Sequence, residues 1–311
     1  MKKFSQPVSI FYFLAFSFCL LIFSSCSKEE VAPKEGLITQ DLKNITLNTG
    51  FTDNVIPIKA DRWAVSYVKD ALTGEILKDS MGNALKLEGV GTVEMEAGWL
   101  TLEKTASNEL KLTLQENFSD QPRNFVIGIQ SSDRQDEITF SQSRGDEYEL
   151  INKEIEEIEG SRKIYVSSEG CSSLTVRNDS DQEKNVETLE IFKDVKYSSE
   201  FSSNSYGAFD WINKNDASIF MDEVLIDDVS HWQGKVLYVK GKTFENYIKP
   251  GNSQTLALKP HRSLSVRGEF TYLERSCNYT FTIKNKNSGH RFNVKGVWKQ
   301  KVPLISHTII E

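Results

Sequence analysis

Short runs of alternating apolar and polar residues recur along most of this chain and constrain its fold more than any other feature. A side-chain period of two over four to eight residues is the pattern of a β-strand with one buried face. No long helical stretch separates these runs, so the pattern predicts an all-β fold of two immunoglobulin-like, antiparallel β-sandwiches in tandem. The clearest runs are Ile45–Leu47, Arg62–Val65, Leu110–Leu114, Phe125–Ile129, Glu137–Phe140, Ile164–Val166, Leu174–Arg177, Leu189–Phe192, Lys235–Val239, Thr255–Leu258, Leu264–Val266, Tyr279–Ile283 and Phe292–Val294.

The runs fall into two groups, and a chain of 311 residues has room for two ordinary domains. We predict a first β-sandwich over residues 37–145 and a second over residues 163–311. The segment between them comprises residues 146–162. Three isoleucines recur there among glutamates, at positions Ile151, Ile155 and Ile158. This spacing fits a short amphipathic helix, and the composition fits an extended acidic linker equally well. The segment therefore predicts a domain boundary.

Residues 1–25 have the three-part pattern of a secretory signal peptide. Lys2 and Lys3 precede an apolar run from Val8 to Phe23, and small residues then lead to Cys26. The run is shorter than the roughly 20 apolar residues that a spanning helix needs, and no stop-transfer charges follow it. A cleaved leader is therefore favoured over a transmembrane anchor.

The end of this leader, Phe23–Cys26, resembles the lipobox of bacterial lipoproteins, although that family more often has Leu three residues before the cysteine. The resemblance implies cleavage before Cys26 and acylation of this residue, which would anchor the chain to a membrane through lipid. Ser27–Glu30 resembles the export tag of Bacteroidetes surface lipoproteins, and a solvated tether would have the same composition. We expect residues 26–36 to be the lipidated cysteine and a flexible tether, with the protein on the outer membrane facing the cell exterior.

Two tryptophans and several strands of the first predicted domain follow a recognisable order. Trp63 precedes Trp99, and the strand Leu110–Leu114, the polar turn Asn117–Arg123 and the closing strand Ile138–Gln142 come after them. This order resembles the BACON domain, an immunoglobulin-like module of Bacteroidetes surface and carbohydrate-active proteins. The resemblance implies a β-sandwich with both tryptophans in its core, and it suggests carbohydrate binding without identifying ligand residues.

The spacing of the two tryptophans is larger than this family usually has. The stretch from Tyr67 to Ala97 is therefore an insertion, which we expect to form a hairpin that turns at Ser80–Asn83.

The cysteines fit an exported protein. Of the four in the chain, Cys19 lies in the leader and Cys26 is the acylation site, which leaves Cys171 and Cys277. In an oxidising compartment this pair predicts a disulfide, and two buried free thiols are the alternative.

Charge and motifs argue against several classes of function. The net charge of −7, which becomes more negative when Lys2 and Lys3 are removed, opposes a nucleic-acid partner. The four histidines, His231, His261, His290 and His307, lie in no zinc-protease or other catalytic motif. We therefore predict no enzyme activity, no catalytic residues and no cofactor, although paired carboxylates of a glycan hydrolase would leave no trace in the sequence.

One acidic segment offers oxygen ligands for calcium, from Asp222, Glu223, Asp227 and Asp228 together with His231. It lacks the glycine and the alternate-residue spacing of calcium loops. A solvated turn between two strands is the preferred interpretation, and no metal site is predicted.

The best candidate for ligand binding is the stretch from Phe201 to Asp216. Tyr206, Phe209 and Trp211 lie there among Asn, Ser and Asp side chains, a mixture that suits the apolar faces and hydroxyls of sugar rings. The same composition describes a loop whose aromatic side chains plug the end of a sandwich. Trp232 is a second, weaker candidate for ligand contact.

These observations favour a non-catalytic surface lipoprotein that binds a glycan or a host glycoprotein for a neighbouring uptake system. A structural spacer or an assembly or adhesion subunit explains the absence of motifs equally well. A glycan-active hydrolase is the third hypothesis.

Overall fold

The computed structural model describes residues 35–311, except residues 49, 107, 133, 146, 227, 248 and 249 and the side chains of residues 51–53, 222, 223 and 250. Of the described residues, 59% lie in strands and 3% in helices, which confirms the predicted all-β class. Within the described residues, no helix has the length and apolar character needed to cross a membrane. The predicted leader, Cys26 and almost all of the tether lie outside the described residues.

The described residues form nineteen strands and three short 3-10 helices. The strands are β1 (Asn44–Leu47), β2 (Phe51–Pro57), β3 (Ala64–Asp70), β4 (Gly91–Glu94), β5 (Leu100–Lys104), β6 (Glu109–Leu114), β7 (Arg123–Ser131), β8 (Arg134–Gln142), β9 (Tyr148–Glu157), β10 (Lys163–Ser167), β11 (Ser173–Arg177), β12 (Lys184–Glu187), β13 (Lys196–Ser202), β14 (Ser218–Ile226), β15 (Val229–Leu237), β16 (Gly241–Asn246), β17 (Thr255–Leu258), β18 (Ser263–Asn285) and β19 (Arg291–Ile310). The helices are Gln40–Leu42, Leu189–Phe192 and Pro250–Asn252, so the strand predicted at Leu189–Phe192 is a helical turn.

The first unit, β1 to β8, is built from two four-stranded sheets with the orders β1-β8-β7-β3 and β2-β6-β5-β4. Alternation in β6 directs Leu110, Leu112 and Leu114 into one core, where each buried side chain stabilises the fold by roughly 1.5–3 kcal/mol. Trp63 is buried in this core as predicted, whereas Trp99 is only partly buried and packs against it.

The insertion in the first unit folds back on itself as predicted. Lys78 pairs with Ala84 in antiparallel fashion, and the backbone N–H of Met81 donates to the Asp79 carboxylate in the turn between them. The hairpin that turns at Ser80–Asn83 is therefore confirmed.

The second unit is organised around one long hairpin, β18 and β19. At about 3.3 Å per residue, the 23-residue β18 extends roughly 75 Å. One edge of β18 pairs with β19, and the other pairs in turn with β11, β10 and β9, placed end to end. Beyond β19 the sheet continues through β13 to β16. The sequence predicted two short strands within the stretch that β18 occupies without interruption.

The long hairpin buries opposite faces at its two ends. Val266, Phe270 and Tyr272 of β18 pack into one core with the helical turn Leu189–Phe192. From Leu273 onward the alternate positions are buried, in a second core that includes residues of β13, β14, β15 and β19. Because successive side chains of a strand point to opposite faces, the two cores lie on opposite sides of the sheet. A register shift at Thr271 and Tyr272 accompanies the change of face.

The acidic segment between the predicted domains requires a correction. It contains strand β9, which pairs with β18, rather than a helix or a linker. Leu150 and Ile155 pack against the second core, whereas Glu154 and Glu156 are exposed. Ile151 lies at a bulge and is exposed, and Ile158 follows the end of β9, so the helix-like spacing of the isoleucines does not mark one buried face.

The predicted disulfide is also wrong, because Cys171 and Cys277 are both free thiols. Cys171 lies beside Gly268, where an added Cβ would be 3.1 Å from the cysteine Cβ. Cys277 is nine residues farther along β18, roughly 30 Å away, and it faces the opposite core. A disulfide needs the two Cβ atoms about 3.8 Å apart, so this fold cannot form one between them.

Candidate functional site: a groove where the two units meet

The loop that the sequence singled out lies where the first and second units meet. It begins at the end of β13 and leads into β14. Gly207 has a positive φ of 63°, and a Cβ at this position would collide with the ring of Phe118 from the first unit. Glycine therefore permits both the turn and the close approach of the two units.

The aromatic side chains of this loop have different environments. Trp211 is only 6% exposed and packs 5.8 Å from the ring of Tyr238, whose ring also lies 5.0 Å from that of Phe209. Both loop residues belong to the second core or its margin, which matches the plug interpretation. Trp211 does not present its ring as an exposed platform.

The remaining two candidates are not brought together. Tyr206 is partly buried at the junction, where its ring lies 5.8 Å from that of Phe118 and its hydroxyl accepts a hydrogen bond from Arg123. Trp232 is on β15 and stacks on Tyr197, with ring centroids 5.1 Å apart and planes 5° apart. This second tryptophan serves the packing of the β14–β15 hairpin on the sheet.

Two adjoining depressions lie beside the loop and share Tyr148, Trp211, Ile212 and Asn213; together they are called the junction groove. One, of about 510 Å³, is bounded by both units and is also lined by Phe118, Ser119, Asp120, Arg144, Gly145, Glu147, Asp210 and Lys286. The other, of about 660 Å³, lies between β9 and β14 and is also lined by Leu150, Ile151, Asn152, Lys153, Asp216, Ser218, Ile219 and Phe220.

The junction groove combines partly exposed rings with short polar side chains. Phe118 and Tyr148 pack 5.3 Å apart, centroid to centroid, and supply apolar surface at its base. Asp120, Asp210 and Asn213 are exposed on the walls, so their oxygen and nitrogen atoms are available to a ligand. This arrangement can provide both apolar contact and directional hydrogen bonds to a neutral polar molecule.

A buried carboxylate holds the two walls of the groove together. Glu116 of the first unit is 2% exposed, and its carboxylate contacts three side chains of the second unit. Its Oε1 lies 2.7 Å from Nδ1 of His290, while Oε2 accepts hydrogen bonds from the Tyr148 hydroxyl at 3.1 Å and from Asn285 Nδ2 at 3.2 Å. Burial, together with the Glu116 charge, raises the pKa of Tyr148.

Arg123 provides a second connection across the junction. Its guanidinium donates to the backbone carbonyl of Glu116 at 3.2 Å, to Gln142 Oε1 at 2.9 Å and to the Tyr206 hydroxyl, and it lies over the Trp99 ring at 4.7 Å. Burial lowers the pKa of Arg123 and raises the pKa of Tyr206. These contacts order the junction around the groove.

No sequence motif predicted a role for Glu116, Arg123 or Asn285, and His290 stood out only as one of four histidines. A pattern was nevertheless present. Glu116 continues the inward-facing series of β6, and Asn285 continues the inward-facing series of β18. A polar residue in phase with a buried strand face predicts a buried polar contact.

The predicted acidic segment Asp222–Asp228 lies at the turn of the β14–β15 hairpin, with Asp227 and the side chains of Asp222 and Glu223 outside the described residues. Across the part of the chain that the structure describes, no group of three or more His, Cys, Asp or Glu side chains is arranged to hold a metal ion.

Comparison with known proteins gives structural likenesses only. No family model matches the chain, and no curated protein matches it. An NMR structure of a protein from Bacteroides thetaiotaomicron is 18% identical, covers 34% of this chain and 80% of its own, and has a TM-score of 0.26. Lamprey immune protein is 10% identical over 85% of this chain and 96% of its own, with a TM-score of 0.38. The Dpr2 Ig1-Ig2 complex with DIP-Theta Ig1-Ig3 is 7% identical over 86% and 95%, with a TM-score of 0.24. Likenesses of this size support no statement about function.

Proposed function

We propose that this protein is a non-catalytic, lipid-anchored protein of the outer cell surface that binds a glycan or a glycoprotein in the junction groove. The observation that carries the proposal is the convergence of aromatic and short polar side chains from both units on one groove. The groove lies beside the loop that the sequence marked for its sugar-binding composition. A binding role needs no nucleophile, base or metal, and the BACON-like order of the first unit favours a carbohydrate ligand.

The mode of contact differs from an exposed tryptophan platform. Trp211 is buried and supports the floor, whereas Phe118 and Tyr148 are partly exposed and adjoin Asp120 and Asp210. A sugar ring could pack its apolar face on these rings while its hydroxyls bond to the carboxylates. The acyl groups on Cys26 would keep such a site at the membrane surface.

The experiment is a glycan-array screen of the acylated or soluble mature protein, followed by calorimetry with any glycan that binds. Asp210→Ala combined with Asn213→Ala removes two exposed polar groups of the groove, so we expect binding to weaken by about tenfold or more, since each lost hydrogen bond is worth roughly 1 kcal/mol. The matched control combines Asp179→Ala with Asn246→Ala, two exposed positions outside the groove. Equal weakening by both pairs, or no binding to any glycan, would contradict the proposal.

A second function, that of a spacer, is favoured by one specific observation. The β18–β19 hairpin, whose longer strand measures roughly 75 Å along its path, runs through the second unit, which the Glu116 contacts connect to the first. A protein with this length, whose two units are connected by buried hydrogen bonds, could hold another component away from the membrane. A negative glycan screen, together with an unchanged separation between spin labels on the two units under mild denaturant, would favour this role.

A further inference from the structure

A pocket of about 280 Å³ lies in the second unit, on the face of the long sheet opposite the β14–β15 hairpin. Its lining includes Lys163, Lys242, Lys299 and Lys301, in a chain whose net charge is −7. The register of the sheet explains this concentration of cations. Each pair of lysines flanks one carboxylate on the strand between them.

The two rows of the pocket follow directly from strand pairing. In one row, Glu274 of β18 lies between Lys163 of β10 and Lys301 of β19. In the next row, Glu200 of β13 lies between Lys299 of β19 and Lys242 of β16. Adjacent strands are about 4.8 Å apart, so the lysines of a row stand roughly 10 Å apart across the sheet.

The carboxylates of the pocket do not balance its lysines. Glu274 accepts a hydrogen bond from the Tyr165 hydroxyl at 2.6 Å, and Glu200 lies 3.8 Å from the Lys299 ammonium group. Among the described residues, neither Lys163 nor Lys242 has a carboxylate at ion-pair distance. Lys301 forms an ion pair with Glu169, which lies outside the pocket lining. Lys163, Lys242 and Lys299 then face the carboxylates of Glu200 and Glu274, so positive charge remains in excess.

Charge on the other face of the sheet adds to this excess. Arg275, whose neighbours Glu274 and Ser276 face the pocket, is buried and lies 3.4 Å from the Glu157 carboxylate. The same carboxylate already forms two 2.7 Å hydrogen bonds with Arg162. Two guanidinium groups therefore share one carboxylate behind the pocket. Arg162 is exposed, whereas Arg275 is buried, so solvent screens the charge of Arg275 less.

We propose that this pocket binds a saccharide that carries sulfate or carboxylate groups. Oxyanions suit paired ammonium groups, and the hydroxyls of Ser161, Ser198 and Ser276 line the same pocket. The small volume fits a substituted sugar unit, and the overall negative charge opposes a nucleic acid, whose phosphates extend well beyond such a pocket. This proposal is independent of the junction groove, because it uses another face of the second unit.

The test measures binding of a short dextran sulfate, with neutral dextran of equal length as the reference ligand, to the mature protein at low and high salt. We expect dextran sulfate to bind, neutral dextran not to bind at the pocket, and added salt to weaken the interaction. Lys242→Glu combined with Lys299→Glu reverses two exposed charges in the pocket, so we expect affinity to fall by about tenfold or more.

The control combines Arg291→Glu with Lys295→Glu, which reverses two exposed charges on the same strand face outside the pocket. We expect this pair to lower affinity by no more than about threefold, through long-range electrostatics alone. Thermal unfolding would verify that both variants fold. The proposal is overturned by equal losses in the two variants or by absence of dextran sulfate binding at low salt. It is overturned equally by a DNA duplex that binds as tightly and with the same lysine dependence. Retained binding in the Asp210→Ala and Asn213→Ala variant would separate this pocket from the junction groove.

Discussion

The two units of this protein solve the same packing problem in different ways. The first encloses one core between two sheets of short strands, in which alternation keeps one face buried along each strand. The second uses a single long hairpin and buries one face at one end and the opposite face at the other. The alternation of buried and exposed side chains therefore holds only locally along a strand. A long strand can bury one face at one end and the opposite face at the other while remaining a single strand.

The largest expected effect tests whether the two cores of the hairpin unfold as one. Phe270→Ala and Phe281→Ala each remove a fully buried ring from a different core, and each should lower the free energy of unfolding by about 3–5 kcal/mol. Since β18 belongs to both cores, each substitution should lower hydrogen-exchange protection along the whole of β18. Phe125→Ala should instead act mainly on β7 and its neighbours.

Peptide-resolved hydrogen exchange by mass spectrometry makes this measurement. Phe244→Ala is the control, because this ring is 59% exposed and should change stability by no more than about 0.5 kcal/mol. Loss of protection confined to one half of β18 would show that the two cores are separate cooperative units.

A smaller effect tests the connection between the units. Glu116→Ala removes the carboxylate that His290, Asn285 and Tyr148 share, and we expect the free energy of unfolding to fall by about 2–4 kcal/mol because three hydrogen bonds to a buried charged group are lost. A double-mutant cycle with His290→Ala should give a coupling free energy of about 1–3 kcal/mol.

The control for this experiment is Glu103→Ala, whose exposed carboxylate lies 3.7 Å from Lys111 within the first unit. Exposed pairs of this kind contribute about 0–1 kcal/mol. If Glu116→Ala costs no more than this control in chemical denaturation, the units are not held together by the buried network.

The smallest effect on stability concerns the thiols. In protein that lacks residues 1–26, two thiols should titrate in denaturant, and a reductant should leave the melting temperature unchanged. Burial raises the pKa of Cys171 to about 11 and also raises the pKa of Cys277, so the native state favours both protonated thiols.

This direction has two consequences for pH. Native Cys171 should react with a thiol reagent at pH 8 about a hundredfold more slowly than in denaturant, because the thiolate is the reactive form. The stability that the protonated Cys171 thiol contributes should be fully present below the pKa of the unfolded thiol, near 9. The free energy of unfolding should decrease as pH rises from there toward 11. Rapid modification of the native protein, or fewer than two thiols in denaturant, would contradict the structure.

Local alternation was sufficient to predict the all-β class and strands β1, β3, β6, β7 and β8 of the first unit, but it did not indicate β2 or β4. The alternation of Leu110, Leu112 and Leu114 predicted which face of β6 is buried. The order of the tryptophans placed Trp63 in the same core. Pairing over long distances was not available from the same pattern. No period within β18 indicates that β9, β10 and β11 share one of its edges, so neither the length of the hairpin nor the separation of Cys171 from Cys277 could be predicted.

The candidate site was predicted in part for the same reason. The composition of the Phe201–Asp216 loop identified the region of the groove, but not that Trp211 would be buried or that Phe118 would approach from the first unit. The Glu116 contacts join residues far apart in sequence, 174 positions in the case of His290. Such contacts depend on the relative placement of two units, which local propensity does not determine.

The position of the long hairpin at the end of the chain sets the order in which the second unit can fold during synthesis. Strands β9, β10 and β11 emerge first, but their pairing partner begins only at Ser263. Glu157 and its ion-pair partner Arg275, for example, are 118 residues apart. Until the last strands arrive, a large part of this unit has exposed strand edges and no sheet to join. A chain of this design therefore spends much of its synthesis in an aggregation-prone state. A nascent-chain holdase that covers those edges should raise its yield more than any stabilising substitution in the first unit.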